Sequence, residues 1–259
     1  MTAQAVFLGT GASMGVPVIG CHCSVCASSS SFNRRMRSSL LLMVGNKRYL
    51  IDVGPDFRVQ ALRHHIDQLD GVLLTHSHYD HVAGLDDLRI FYLRQKKPLP
   101  FALSKETLKE LQIRYHYIIH EKEKSGLFSM PFDFQVLEKE VGEMTFEGLD
   151  LKYFSYSQRG IKVTGLRFKD FAYVVDILDY DEAIFESLKG LTTLVIDGMS
   201  WERTDAHLGI FEVMELVKKV KCRQVYLTHV AHETDHQLTS EQLPQGIAMA
   251  YDGLKLRLW

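Results

Sequence analysis

The sequence predicts an α/β fold in one domain spanning residues 1–259. Three observations carry this expectation. The length of 259 residues suits one large domain or two small ones, and no linker, low-complexity tract or repeat of fixed length divides the chain. Short apolar runs that read as strands alternate with stretches whose apolar residues recur every three to four positions. A metal-ligating side chain follows an apolar run at His76, Asp176 and His229, so strand ends repeatedly deliver polar chemistry.

The chain can be justified element by element. Residues 5–8 read as a strand running into Gly9-Thr10-Gly11-Ala12-Ser13-Met14-Gly15, whose glycines permit tight turns. A phosphate-binding loop would end in Lys-Ser/Thr, and this one does not. Cys21-His22-Cys23-Ser24-Val25-Cys26 supplies three thiolates. A closed zinc site needs four ligands, and His22, between two thiolates, is poorly placed to be the fourth. Arg34, Arg35 and Arg37 read as a solvated turn. Residues 40–44 and 48–52 read as a hairpin around Gly45-Asn46. Asp52 ends that hairpin, where it would accept the free N–H of a metal-binding histidine.

Residues 57–66 suggest a helix with His64 and His65 at its surface, and 72–74 a buried strand. Residues 84–92 have helical spacing. After Pro98 and Pro100, residues 101–103 read as a strand and Ser104 as the N-cap of a helix from 105 to about 120. His116 and His120 then share a helix face without a catalytic pattern around them. Residues 126–148 suggest turns and short strands, 149–154 a strand, and 161–168 with 171–175 a hairpin turning at Lys169-Asp170. Residues 181–188 and 210–220 read as helices, the second amphipathic. Asp176, Asp197 and His229 each end a strand-like run.

Composition bounds the function. Hydrophobic residues make up 46% and charged residues 24%, with 30 basic against 32 acidic side chains. This balance carries no electrostatic footprint for a nucleic acid or an anionic membrane. No apolar stretch reaches the roughly 18 residues of a membrane span. The first residues lack a secretory signal, so a cytoplasmic location is expected. Three of the four cysteines crowd into residues 21–26, with Cys222 apart, which suggests a metal site over a disulfide framework.

Residues 72–81 hold the densest chemistry: Val72-Leu73-Leu74-Thr75-His76-Ser77-His78-Tyr79-Asp80-His81. In extended chain beyond the strand, His76 and His78 point to one side. A turn into a helix then presents Asp80 and His81 as neighbours. One segment can feed two adjacent cations, His76 and His78 to one, Asp80 and His81 to the other. The pattern His-x-His-x-Asp-His after a strand resembles the signature of the metallo-β-lactamase fold superfamily.

That resemblance covers nearly the whole chain. It implies an αββα sandwich of two mixed sheets flanked by helices. With the Leu-Gly-Thr-Gly opening, the Cys-x-Cys-x-x-Cys and the late Thr-His-x-x-His, the chain is most similar to the phosphonate-pathway phosphoribosyl cyclic phosphodiesterase family. The resemblance implies that His76 and His78 hold a first metal and that Asp80, His81 and His229 hold a second. Asp176 would bridge them, Asp52 would support them, and His207 would donate a proton to the leaving group. Cys21, Cys23, Cys26 and His232 would hold a structural zinc. The activity implied is two-metal hydrolysis of a small phosphate ester by a bridging hydroxide, with Mn or Zn as the cations. One departure stands out: the family's further His ligand of the first metal is matched here by Gln158. A Gln oxygen is a weak ligand for zinc and a fair one for manganese.

Two other readings share the motif. A tRNA 3′-processing nuclease would need a basic arm, which the sequence lacks. A zinc-stabilised binding protein, resembling the coenzyme-PQQ biosynthesis branch, would follow from the loss of a ligand at Gln158. The expected partner is a small-molecule phosphate ester, with neither membrane nor nucleic acid, and a homodimer as one oligomeric option.

Overall fold

The computed structural model describes residues 2–119 and 132–259. The strands are β1 (Ala3–Gly9), β2 (Ser39–Val44), β3 (Lys47–Ile51), β4 (Gly71–Leu73), β5 (Leu99–Ser104), β6 (Phe132–Leu137), β7 (Val141–Phe146), β8 (Leu149–Gln158), β9 (Ile161–Phe168), β10 (Phe171–Val174), β11 (Thr193–Asp197), β12 (Gln224–Thr228), β13 (Ile247–Met249) and β14 (Lys255–Arg257). They form two sheets, ordered β14-β1-β2-β3-β4-β5-β6 and β13-β12-β11-β10-β9-β8-β7. The sheets share one plan. β14 through β3 pair antiparallel, and β3 through β6 parallel. Likewise β7 through β10 pair antiparallel, and β10 through β13 parallel.

Alternation along the strands builds the layers. Ala5 and Phe7 of β1 join Leu40 and Leu42 of β2 and Phe171 and Tyr173 of β10 in the core between the sheets. Val6, Leu8 and Leu41 face the other way, onto Phe57 of α1 (Phe57–Arg63), in a cluster that also holds Val82 of α2 (Tyr79–Val82) and Phe91 of α3 (Arg89–Gln95). The same cluster reaches Leu111 of α4 (Lys105–Arg114). Ala172 and Val174 pack with Ile184 of α5 (Ile184–Ser187) and with Val213 and Leu216 of α6 (Ile210–Val220). A final helix, α7 (His236–Gln242), precedes β13. Because side chains alternate with period two, strands covered on both faces must be apolar throughout, which explains the unbroken runs at 40–42 and 171–175. The αββα sandwich is therefore observed.

Some expectations need correction. α4 ends at Arg114, earlier than expected, so His116 lies exposed in a turn past the helix. The i, i+4 spacing therefore does not apply to it, and His120 lies outside the described residues. The aromatic and β-branched run after Tyr115 is a poor helix former, which accounts for the early stop. Ser104 does cap α4, accepting from Thr107 N at 3.2 Å. Leu85–Leu88 form a 3-10 turn, and α3 begins after it. The helix expected over 181–188 shrinks to the single turn α5.

Arg35 is the largest departure. It is not solvated but buried. It donates to Thr10 Oγ1 at 2.7 Å and Ala250 O at 2.6 Å, and its Nη2 lies 2.9 Å from His236 Nδ1. These contacts tie the glycine-rich loop to the C-terminal segments. Gly9 and Gly11 let the loop pass close to residues 35–37: a Cβ on Gly9 would meet Arg37 O at 2.0 Å, and one on Gly11 would meet Arg35 O at 2.9 Å.

Candidate metal centre

The site lies where β3, β4, β10, β11 and β12 end, at the carboxyl edge of parallel strand pairs from both sheets, the usual ligand edge of such sheets. Three of its residues leave their strands with left-handed backbone: Asp52 (φ 59°), Asp176 (φ 58°) and His229 (φ 55°). Non-glycine residues adopt this conformation at a cost of order 1–3 kcal/mol, so the fold holds them there against local preference. Gly54 admits the ligand helix from the side, since a Cβ would sit 2.2 Å from Asp80 O.

Two groups of ligand-type atoms converge. In the first, His81 Nε2 lies 3.0 Å from Asp176 Oδ2 and 3.3 Å from Asp80 Oδ2. His229 Nε2 lies 3.4 Å from Asp80 Oδ2 and 3.5 Å from Asp176 Oδ2. His81 Nε2 and Asp176 Oδ2 are buried without a well-aligned hydrogen bond. Orphaned buried atoms at this spacing fit a cage for a divalent cation. Asp52 Oδ2 accepts from His81 Nδ1 at 2.7 Å and from Thr75 Oγ1 at 2.8 Å, while its Oδ1 accepts Thr75 N. Asp52 thus turns the free nitrogen of His81 into the cage, as expected from the sequence. In the second group, His76 Nε2 lies 2.8 Å from His78 Nδ1, with Asp176 close by.

The electrostatics suit a cation. Burial alone would raise the pKa of Asp80, but the His81 charge and the hydrogen bonds from His229 and His81 hold it far below its ordinary range. Burial likewise opposes ionisation of Asp176, and the histidines around it prevail. His229 is pushed up to about 9: burial works against its charge, and Asp176 and Asp80 outweigh it. Burial, reinforced by the His81 charge, keeps His76 neutral and so in its ligand form. Carboxylates that draw protons onto their histidines would draw a metal dication in their place.

His207 Nδ1 lies 2.9 Å from Asp197 Oδ2. Asp197 also accepts the backbone N–H of Asp176 and Ile177. In sequence Asp197 reads only as a strand-end carboxylate; its partner is set by the chain reversal between β11 and α6, which carries no sequence signal. Gln158 is buried and its Nε2 donates to Asp176 Oδ1 at 2.8 Å. A cavity of about 550 Å³ opens over the centre, lined by His78, Asp80, Gln158, Asp176, His207 and His229, with Arg159 at its wall. Arg159 has φ 50° in the β8–β9 turn and pairs with Asp205 at 3.2 Å. Its place at the cavity is not legible in the sequence, because a turn residue's direction depends on the turn. A larger groove of about 670 Å³ on the outer face of β7 and β8 contains no histidine or cysteine, so size does not mark the site.

The second cluster is remote in sequence. Cys21, Cys23, Cys26 and His232 bring their ligand atoms together, with His232 Nδ1 3.4 Å from Cys21 Sγ and 3.5 Å from Cys23 Sγ. Zn–S of about 2.3 Å and Zn–N of about 2.0 Å at a tetrahedral angle imply S···N near 3.5 Å. Cys23 is lowered to about 6, chiefly by the Cys26 N–H and then by His232. The donor set fits zinc.

Fold and donor set together describe a protein built around a metal centre. A model of the beta-lactamase superfamily domain matches residues 47–230. The chain belongs to the metallo-β-lactamase fold superfamily. It is 33% identical over 264 residues to an octanoyltransferase of Porphyromonas gingivalis, covering 97% of this chain and 51% of that protein. It is 38% identical over 100 residues to the coenzyme PQQ synthesis protein B of Methylobacterium nodulans, covering 33% of each. The chain thus spans about half the length, or less, of these relatives. Among solved structures, a diphosphatase from the PhnP family superposes with a TM-score of 0.90 at 33% identity, covering 100% of this chain and 98% of that one. The short form of human tRNase Z superposes with a TM-score of 0.67 at 15% identity, covering 99% of each chain, a likeness of fold alone. Among the described residues, no helix is long and apolar enough to cross a membrane.

Proposed function

We propose that this protein is a metal-dependent phosphodiesterase acting on small phosphate esters. The observation that carries the reading is the cavity over the metal centre: Asp80, Asp176, His229 and His207 line it, His81 is buried against Asp80 and Asp176, and Arg159 is the single permanent cation among the lining residues. Arg159 would bind the substrate's anionic oxygens, and the guanidinium fork suits a phosphate. A divalent cation held in the cage supplies Lewis acidity and lowers the pKa of water. Asp197 fixes the His207 ring with Nε2 beside Gln158 at the cavity, and once protonated there, in place of the hydrogen bond from Gln158, Nε2 would pass a proton to a departing oxygen. Likeness to the PhnP-family diphosphatase over the full chain supports phosphoester or phosphoanhydride chemistry. Cys21, Cys23, Cys26 and His232 would hold a structural zinc that staples the N-terminal loop to the segment after β12. The work site would be the cytoplasm.

Hydrolysis of bis(p-nitrophenyl) phosphate and of a nucleoside diphosphate with added Mn²⁺ or Zn²⁺ tests this. Metal-dependent turnover that Asp80→Ala abolishes is expected. No turnover on either substrate with either metal would overturn the reading. Gln158 favours one alternative, a non-catalytic binding protein, because it replaces a ligand-type side chain at the heart of the centre. That alternative predicts tightly bound metal with no turnover.

A further inference from the structure

Asp176 stands between the two groups of ligand-type residues, and its two oxygens have different surroundings. Oδ2 faces His81 Nε2 and His229 Nε2 and has no aligned donor. Oδ1 accepts the Gln158 amide at 2.8 Å. The same amide nitrogen lies 2.9 Å from His207 Nε2. His207 donates through Nδ1 to Asp197, which leaves Nε2 as an acceptor for the second amide hydrogen. The two hydrogens of one NH₂ group therefore meet two acceptors. The reverse amide orientation would set a carbonyl oxygen against a carboxylate.

We propose that Gln158 closes the first metal position and leaves the protein a centre for one cation, held by Asp80, His81, Asp176 and His229. This rests on the metal-dependent reading above. A histidine at position 158 could aim a lone pair at a cation beside Asp176 Oδ1. Gln158 instead aims the positive end of an amide dipole there and occupies the oxygen that would bridge.

The partners of that position agree. His76, His78 and Asp176 lie close enough to share an ion. Yet His76 Nε2 and His78 Nδ1 are 2.8 Å apart, a hydrogen-bond separation in which one ring donates to the other. Two nitrogens on one tetrahedral zinc, each about 2.0–2.1 Å from it, stand roughly 3.3 Å apart. The pair satisfies itself, whereas His81 Nε2 and Asp176 Oδ2 in the other group remain orphaned. His76 and His78 then serve as neutral donors and acceptors at the floor of the site.

The test is manganese loading of protein whose N/O centre has been emptied by a chelator while the thiolate cluster keeps its zinc, since imidazole and carboxylate sites also bind zinc more tightly than manganese. Equilibrium dialysis counts bound Mn²⁺, and EPR separates an isolated ion from an exchange-coupled pair. Wild type is expected to bind one Mn²⁺ with an uncoupled spectrum. Gln158→His is expected to bind a second and to show a coupled one. Wild type binding two Mn²⁺ with affinities within tenfold of each other, with a coupled spectrum, would overturn the proposal, and so would wild type binding none. The wild-type count decides even if the variant misfolds. Bis(p-nitrophenyl) phosphate turnover on the same samples keeps the two ideas apart. One Mn²⁺ without turnover defeats only the phosphodiesterase reading, and two with turnover defeat only the single-cation centre.

Discussion

Asp197 Oδ2 holds His207 Nδ1 at 2.9 Å, and neither side chain is more than slightly exposed. The carboxylate also anchors the backbone turn that carries Asp176, so one group orients both the proposed proton donor and a proposed ligand. His207→Ala is expected to lower kcat on a diester by roughly 10²–10⁴-fold, the usual worth of a positioned acid. Asp197→Asn should move kcat in the same direction with a smaller change in KM. Steady-state kinetics at fixed metal check both.

Asp52 sets the His81 tautomer through a 2.7 Å contact. Asp52→Asn should weaken active-site metal binding by about 10–100-fold, as loss of such supporting hydrogen bonds does elsewhere. Competition against a chelator of known affinity measures it. Unchanged affinity would place Asp52 in the role of a purely structural group beneath Thr75.

The thiolate cluster joins residues more than two hundred positions apart, Cys21 and His232 among them. Cys23→Ser should remove one zinc per chain. If the zinc acts as a cross-link closing that long loop, the loss is about 2–4 kcal/mol. That corresponds to a Tm lowered by roughly 5–10 °C. Elemental analysis and a thermal melt check the two halves separately.

Asp252 is raised from 3.8 to about 6, first by burial, against hydrogen bonds from Met36 N and Thr10 and the charge of Arg35. The folded state therefore keeps a proton that the unfolded chain has released. Stability falls as pH rises from about 4 through about 6, and the cost is complete above that window. Asp252→Asn should remove this slope, so its stability relative to wild type should climb across the same range. Nearby His236 is lowered to about 4 by burial and by Arg35, and contributes the opposite slope from about 4 to 6.5. It does so in both proteins, so the difference isolates Asp252. Urea melts at several pH values supply the numbers.

How much was readable in advance varied with how local the information was. The hairpin of β2 and β3, the amphipathic α6 and the Ser104 cap follow from neighbours in the chain, and the structure has them where they were expected. The convergence of ligand-type side chains from residues 76–81 was equally readable, because an apolar strand followed by His-x-His-x-Asp-His sets its own side-chain directions. Arg35 was misread as solvated because its acceptors, Ala250 O and His236, lie at the far end of the chain.

The amino-acid order by itself determined the alternation of strands and helices and the ligand-type residues at strand ends, and through the family resemblance of its motifs it implied the layered plan, since periodicity and motif spacing are local. Tertiary structure alone decided which oxygen of Asp176 faces a cation, which carboxylate holds His207 and where the Arg159 side chain stands. Those outcomes depend on left-handed strand exits and on donors brought in from other strands. A linear pattern contains no orientation for a carboxylate until the chain around it has closed.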